Sequence, residues 1–170
     1  MTIDLKPIDT NSWFVACDLE VDASQRDFVS PNAVSLAQAH YEPWWIPLGI
    51  YDSNAMVGFV MHSCWPNAPV NPIHGEMTPG NDHILRLMID KRLQGKGYGR
   101  AAMIALIERI KAQGDCRAIE LSFHPDNAVA EKLYASFGFV RTRRVIEGEI
   151  EMKLDVTNQN PKGLVTSRSG

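Results

Sequence analysis

The stretch that most constrains this chain is Ile84-Leu85-Arg86-Leu87-Met88-Ile89-Asp90-Lys91-Arg92-Leu93-Gln94-Gly95-Lys96-Gly97-Tyr98-Gly99-Arg100-Ala101-Ala102-Met103. It opens with the short apolar run expected of a buried strand, Ile84 to Ile89. Gly95, Gly97 and Gly99 then alternate with other residues. Glycine allows φ > 0 and lets a ligand approach the backbone closely. A helical pattern follows at once, with Met103, Ile104, Ile107 and Ile110 on one face and Arg100, Glu108, Arg109 and Lys111 on the other. The free N–H groups and dipole of a helix start form an anion site, and Lys96 and Arg100 add positive charge. These features predict a pyrophosphate cradle. Neither common phosphate loop fits, because no Gly-Lys-Ser/Thr ending is present and the glycine spacing is not Gly-x-Gly-x-x-Gly. A glycine-rich connection without a ligand is the plain alternative, and the flanking strand and helix weigh against it.

The rest of the chain supplies a sheet for this unit. Ile3 to Ile8 reads as an edge strand limited by Pro7. Asn11 or Ser12 caps a short helix over Trp13 to Cys17, and Ser30-Pro31 opens a second that runs to Pro43. Strands Leu48 to Tyr51 and Met56 to His62 flank a turn at Asp52-Ser53-Asn54. A proline-rich connection from Cys64 to Gly80 leads to the central strand, and a loop of that length is either functional or a surface excursion. Gly114-Asp115 ends the following helix. A strand Ala118 to Phe123 is broken by His124-Pro125-Asp126-Asn127, where Asp126 or Asn127 caps a helix with apolar positions Ala130, Leu133, Tyr134 and Phe137. Strands Phe139 to Val145 and Glu149 to Val156 are joined by Glu147-Gly148. The order is α/β with a mixed sheet. One domain over residues 1–156 is expected, with a disordered polar tail over 157–170.

Charge and cysteine usage narrow the setting. The net charge of −3 and pI near 5.9 argue against a general nucleic-acid binder and tolerate a cationic substrate. The basic run Arg141, Arg143, Arg144 has no aromatic stacking platform beside it. Cys17, Cys64 and Cys116 form no disulfide framework. No signal-peptide core and no stretch of about 18 apolar residues is present, so a cytoplasmic, membrane-free protein is expected. His40, His62, His74, His83 and His124 show no ligand spacing, so no metal is expected.

Gln94-Gly95-Lys96-Gly97-Tyr98-Gly99 resembles the Q/R-x-x-G-x-G/A motif of the GNAT superfamily of N-acetyltransferases, which grips the pyrophosphate of acetyl-CoA. Asn127-Ala128-Val129-Ala130-Glu131-Lys132-Leu133-Tyr134-Ala135-Ser136-Phe137-Gly138-Phe139 resembles a second segment of that family, N-x-x-A-x-x-x-Y-x-x-x-G-F. The element order is similar over nearly all of residues 1–156. The resemblance implies the GNAT fold, a mostly antiparallel mixed sheet of about seven strands flanked by about four helices. It implies acetyl-CoA as cosubstrate, bound by Leu87, Met88, Ile89, Gln94, Gly95, Lys96, Gly97, Tyr98, Gly99, Arg100, Asn127, Ala130 and Tyr134. It further implies a bulge in the central strand that splays it from Ala118 to Phe123, with a backbone N–H near Leu87 or Met88 polarising the acetyl carbonyl.

Tyr134 is implied as the general acid for the departing thiolate; periodicity alone would leave it a core tyrosine. Ser35 to Ala39, Met56 to Met61 and Leu87 to Gly99 look like the bacterial spermine/spermidine (diamine) N-acetyltransferases. The Trp44-Trp45 pair and the Cys64 to Gly80 loop depart from that pattern. A polyamine arrives protonated, with amine pKa values of roughly 10. An acidic pocket would attract it. Glu20, Asp22, Asp27, Glu42, Asp82 and Glu120 are candidates for binding it or taking its proton, although a solvated surface role suits any one of them. Trp44, Trp45 and Trp65 are candidate cation–π walls. The expected activity is direct acetyl transfer to spermidine or spermine. The alternatives are another amine (a protein N-terminus, lysine, aminoglycoside or amino acid) and a non-catalytic acyl-CoA sensor. A homodimer through the last two strands is the family's common habit.

Overall fold

The central apolar strand is buried because elements cover both faces of the sheet it belongs to. The computed structural model describes residues 2–63 and 77–157. Along the chain these form β1 (Ile3–Pro7), α1 (Trp13–Asp18), a single 3-10 turn (Ala23–Gln25), α2 (Asn32–Tyr41), β2 (Trp45–Asp52) and β3 (Ala55–Ser63). After residue 76 come β4 (Asn81–Ile89), α3 (Tyr98–Ala112), β5 (Ala118–Phe123), α4 (Ala128–Ala135), β6 (Val140–Ile146) and β7 (Glu149–Asp155). Most of the expected Cys64 to Gly80 loop, with Trp65 and His74, lies outside the described residues, as does the tail beyond Thr157.

The sheet has the order β1-β2-β3-β4-β5-β7-β6, and only β4 and β5 run parallel. One core lies under α3 and α4 and is built from Leu48, Val60, Ile84, Met103, Leu106, Ile110, Ile119 and Leu121. Met103 and Ile110 are fully buried, whereas Ile104 is 44% exposed; the inner stripe of α3 is Ala102, Met103, Leu106, Ile107 and Ile110. The second core lies under α1 and α2 and holds Ala16, Trp45, Phe59, Met61 and Met88.

Two boundaries differ from expectation for tertiary reasons. Strand β2 starts at Trp45 and runs through Pro47, whose carbonyl accepts Ile8 N–H at 3.5 Å. Strand β4 starts at Asn81, because its polar residues are buried with partners: Asn81 with Glu120, Asp82 with His62, and the His83 N–H with the Ser63 hydroxyl.

Two irregularities in β4 open the sheet. It pairs with β5 only from Asn81↔Ala118 to Ile84↔Leu121, while its pairing with β3 continues to Ile89↔Gly58. The backbone of Leu85 to Ile89 therefore has a strand partner on one side only. A bulge accompanies the parting. Met61 pairs Arg86 but His62 pairs Ile84, so Leu85 is the extra residue. The bulge thus falls two residues before the expected Leu87.

Candidate active site

The glycine turn has the geometry of an anion cradle. Gly95 has φ +74 and Gly97 φ +88, and a Cβ built at either would meet nothing within 4 Å. Gly97 is the N-cap of α3 and gives it no side-chain cap. The first N–H groups of the helix therefore remain available to a ligand. Gln94 donates its amide to the Ile89 carbonyl at 3.0 Å and to Gln25 at 2.8 Å. The Tyr98 hydroxyl donates to Asp52 at 2.7 Å, which ties the start of α3 to the β2–β3 turn. Lys96 and Arg100 turn away: Lys96 bonds the Arg92 carbonyl, and Arg100 bonds Ser136 and lies over Phe137. Neither lines the cleft, so the cradle consists of backbone.

From this turn a cleft of about 870 Å³ runs along the parted strands. Leu87, Met88, Ile89, Gln94, Gly95, Gly97, Tyr98, Gly99, Asn127, Ala130 and Tyr134 all line it. Eleven of the thirteen residues named for acetyl-CoA thus stand on one cleft, and Lys96 and Arg100 do not. Asn127 caps α4, its side-chain oxygen accepting Ala130 N–H at 3.1 Å. Tyr134 is 8% exposed, packed on Phe123 and Phe139, and its hydroxyl has no hydrogen-bond partner among the described residues. Burial, with a smaller push from Glu149, raises its pKa to about 12.

The other end is acidic. Among the described residues, the charged side chains lining the cleft are Asp27, Glu42, Glu147, Glu149 and Arg86. Glu42 accepts from Trp45 Nε1 at 2.9 Å and from Gln38 at 3.2 Å. Glu149 accepts from Ser122 across the β5–β7 pair. Arg86 donates to the Leu85 carbonyl and to Ser30. Burial pulls its pKa down against the opposing pull of Glu149 and Glu147. His83 faces Trp45, and burial with Arg144 and Arg86 lowers it to about 4, so it is neutral at ordinary pH.

Four of the expected acidic residues are not in the cleft. Exposed Glu20 pairs with Lys91 at 2.5 Å. Asp22 caps the 3-10 turn. Asp82 is buried against His62 at 3.0 Å, and burial raises its pKa. Buried Glu120 accepts from Asn81 at 2.6 Å and faces Lys153 at 3.8 Å. Each has its own partner, which accounts for its place. Trp45 lines the cleft and Trp44 does not. Glu147 and Glu149 escape a sequence reading because they look like any polar hairpin. Only the pairing of β7 with β5, Ser122↔Glu151 and Phe123↔Ile150, carries them to the site. Among the described residues no group of three or more His, Cys, Asp or Glu gathers as metal ligands. No helix among them is long and apolar enough to cross a membrane.

A glycine turn at an uncapped helix start, beside parted parallel strands, is the arrangement expected from the sequence motifs. Residues 8–139 match the acetyltransferase (GNAT) family. The chain belongs to the GNAT family. Over 139 residues it is 30% identical to spermine/spermidine N(1)-acetyltransferase of Bacillus subtilis (strain 168), covering 82% of this chain and 88% of that protein. Its fold matches aminoglycoside acetyltransferase AAC(6')-Ib in complex with coenzyme A at a TM-score of 0.74 and 15% identity, over 91% of this chain and 95% of that one. It also matches PaiA N-acetyltransferase from Thermoplasma acidophilum in complex with coenzyme A, at 0.64 and 13% identity, over 92% and 100%. As a GNAT enzyme the protein is an N-acetyltransferase that uses acetyl-CoA. The open space over Gly95 and Gly97 and the uncapped helix start fit a pyrophosphate.

Proposed function

We propose that the protein acetylates a primary amine of a polyamine such as spermidine or spermine. The observation that carries this reading is the charge of the cleft: among the described residues, Asp27, Glu42, Glu147 and Glu149 outnumber Arg86, with His83 neutral, so the lining is net negative. A concave, partly desolvated site of one sign concentrates ligands of the other. Trp45 offers an aromatic face to an ammonium chain. The likeness to the Bacillus subtilis enzyme points the same way.

Acetyl-CoA, when bound, supplies an acetyl thioester. The glycine turn and the start of α3 hold its pyrophosphate by backbone N–H groups. The unpaired edge of β4 from Leu85 to Ile89 offers backbone groups to its pantetheine arm and to the acetyl oxygen. The carboxylates hold the acceptor, and alignment of the two reactants contributes several kcal/mol, on the order of an effective-molarity gain. Tyr134 keeps its proton at neutral pH and delivers it to the leaving sulfur. In free solution a tyrosine near 10 and a thiol near 8.5 are almost matched. Burial moves Tyr134 up to about 12. The same desolvation raises a thiol held beside it, which restores part of the match.

The test is thiol release from acetyl-CoA with spermine, spermidine, diamines, a lysine peptide and an aminoglycoside, with Tyr134→Phe beside the parent. Saturable turnover with spermidine or spermine, reduced on the order of 10²-fold or more by the substitution, supports the reading. Turnover only with the peptide or aminoglycoside rejects the polyamine. Binding without turnover leaves a sensor.

A further inference from the structure

Among the described residues, Glu149 occupies a place no other carboxylate of the cleft shares. It stands on β7, next to the strand from which β4 parts, and its carboxylate accepts the Ser122 hydroxyl from β5. Ser122, Glu149 and Tyr134 all line the cleft. Glu42 is already committed to Trp45 and Gln38, Asp27 stands across the cleft on the segment before α2, and Glu147 lies in the exposed hairpin turn. The groups that share the sheet face with Glu149 are Arg86 and His83 on β4, Glu120 and Ser122 on β5, Glu151 and Lys153 on β7, and Arg144 on β6 paired to Glu151. Tyr134 on α4 feels the charge of Glu149, and Glu147 precedes it in the hairpin.

We propose that Glu149 takes the proton from the acceptor ammonium, with Ser122 as its positioning residue. The assignment rests on amine acetylation as the activity and does not require the amine to be a polyamine. An N–H bond of the ammonium breaks and an O–H bond forms on Glu149, leaving the electron pair on nitrogen. That pair forms the bond to the acetyl carbon as the carbon–sulfur bond breaks. Tyr134 gives its proton to sulfur and regains one from the newly acylated nitrogen. Glu149 returns its proton to solvent. The sum is ammonium plus thioester giving amide, thiol and one proton. Glu149 also raises the pKa of Tyr134, as a negative neighbour does, which fits the closeness the relay needs.

The experiment compares the parent, Glu149→Gln and Ser122→Ala on whichever amine of the panel the parent acetylates. It measures kcat and kcat/KM from pH 5 to 10, coenzyme A affinity by calorimetry, and melting temperature. Glu149→Gln is expected to lower kcat on the order of 10²–10³-fold across the whole pH range, with coenzyme A affinity within about twofold. Ser122→Ala is expected to lower kcat about tenfold while leaving the amine KM within about twofold, because the base is misaligned but present. Direct binding of the amine to the coenzyme A complex gives a readout apart from turnover, and should weaken in Glu149→Gln. The proposal is overturned if Glu149→Gln keeps kcat within about twofold, including when it changes only the amine KM. A parent active on a non-polyamine alone removes the polyamine reading and leaves this test intact. A parent inactive on every amine overturns both.

Discussion

Gln94, at the mouth of the phosphate turn, and Gln25, in the 3-10 turn before α2, are joined by a hydrogen bond of 2.8 Å across 69 residues of sequence. Gln25 also accepts Asp22 N–H at 3.1 Å, so one side chain holds its own turn and the cradle together. Lys91 N–H to the Glu20 carbonyl at 2.7 Å and Glu20 N–H to Asp90 at 3.3 Å complete the strap. The segment it fastens carries Asp27, Phe28 and Ser30 into the acceptor end of the cleft.

Cutting that strap should be felt at the acceptor rather than at the donor. Gln25→Ala is expected to raise the amine KM about three- to tenfold, about one hydrogen bond's worth of orientation, with the acetyl-CoA KM within twofold. Combined with Gln94→Ala, the effect on amine KM should be less than the sum of the two, since both remove the same bond. Steady-state kinetics in both substrates checks this.

Gly97 tests the cradle itself. With φ at +88 and no neighbour within 4 Å of a Cβ, Gly97→Ala meets backbone strain without a clash. A left-handed L-residue costs about 1–2 kcal/mol, or roughly 2–8 °C in melting temperature for a chain of this size. The new methyl enters the space assigned to pyrophosphate, so the acetyl-CoA KM should rise further than stability falls. Gly97→Asn should lose less stability than Gly97→Ala, since Asn visits this region more readily. Calorimetry and kinetics together separate the two effects.

Tyr134 should be visible in alkali. Its pKa is about 12 in the fold against about 10 in an unfolded chain. The folded state holds the proton more tightly, so the contribution is complete below pH 10 and is lost as pH rises from 10 through 12. The full loss is on the order of 2–3 kcal/mol. Tyr134→Phe should unfold less steeply with pH over that window in urea titrations.

His83 works in the opposite direction. Burial holds it near 4, below the ordinary 6.5. The folded state resists its protonation, so the contribution is complete above pH 6.5 and is lost as pH falls from 6.5 through 4, by about 3 kcal/mol in all. His83→Gln should flatten that acid limb of stability. A parent and variant with parallel curves would reject the assignment.

The wall proposed for the cofactor was legible in the sequence as a local structure. Spaced glycines, an apolar strand and the Asn127 to Tyr134 helix each declare themselves within a few residues. The other wall was legible only in part: Asp27, Glu42 and Trp45 stood among the candidates and line the cleft, but Glu147 and Glu149 were not among them, because that wall is assembled from β4, β7 and the segment before α2. Glu20 and Asp22 looked promising by position, yet Lys91 and Ser24 hold them outside. Asp82 and Glu120 looked like site residues at strand ends, yet they serve as buried anchors for His62 and Asn81. Lys96 and Arg100 carried the expected charge, but their side chains bond the protein and leave the anion to peptide groups.

The sheet order β5-β7-β6 has a kinetic meaning. Strand β6 precedes β7 in the chain but reaches the sheet only through it, so β6 cannot join until β7, later in the chain, has docked on β5. Such non-local pairing is slow compared with the closure of β2 on β3, which are joined by a tight turn. A folding chain can therefore own a finished donor cradle while still lacking Glu147 and Glu149. The capacity to hold coenzyme A should emerge earlier in refolding than the capacity to hold an amine.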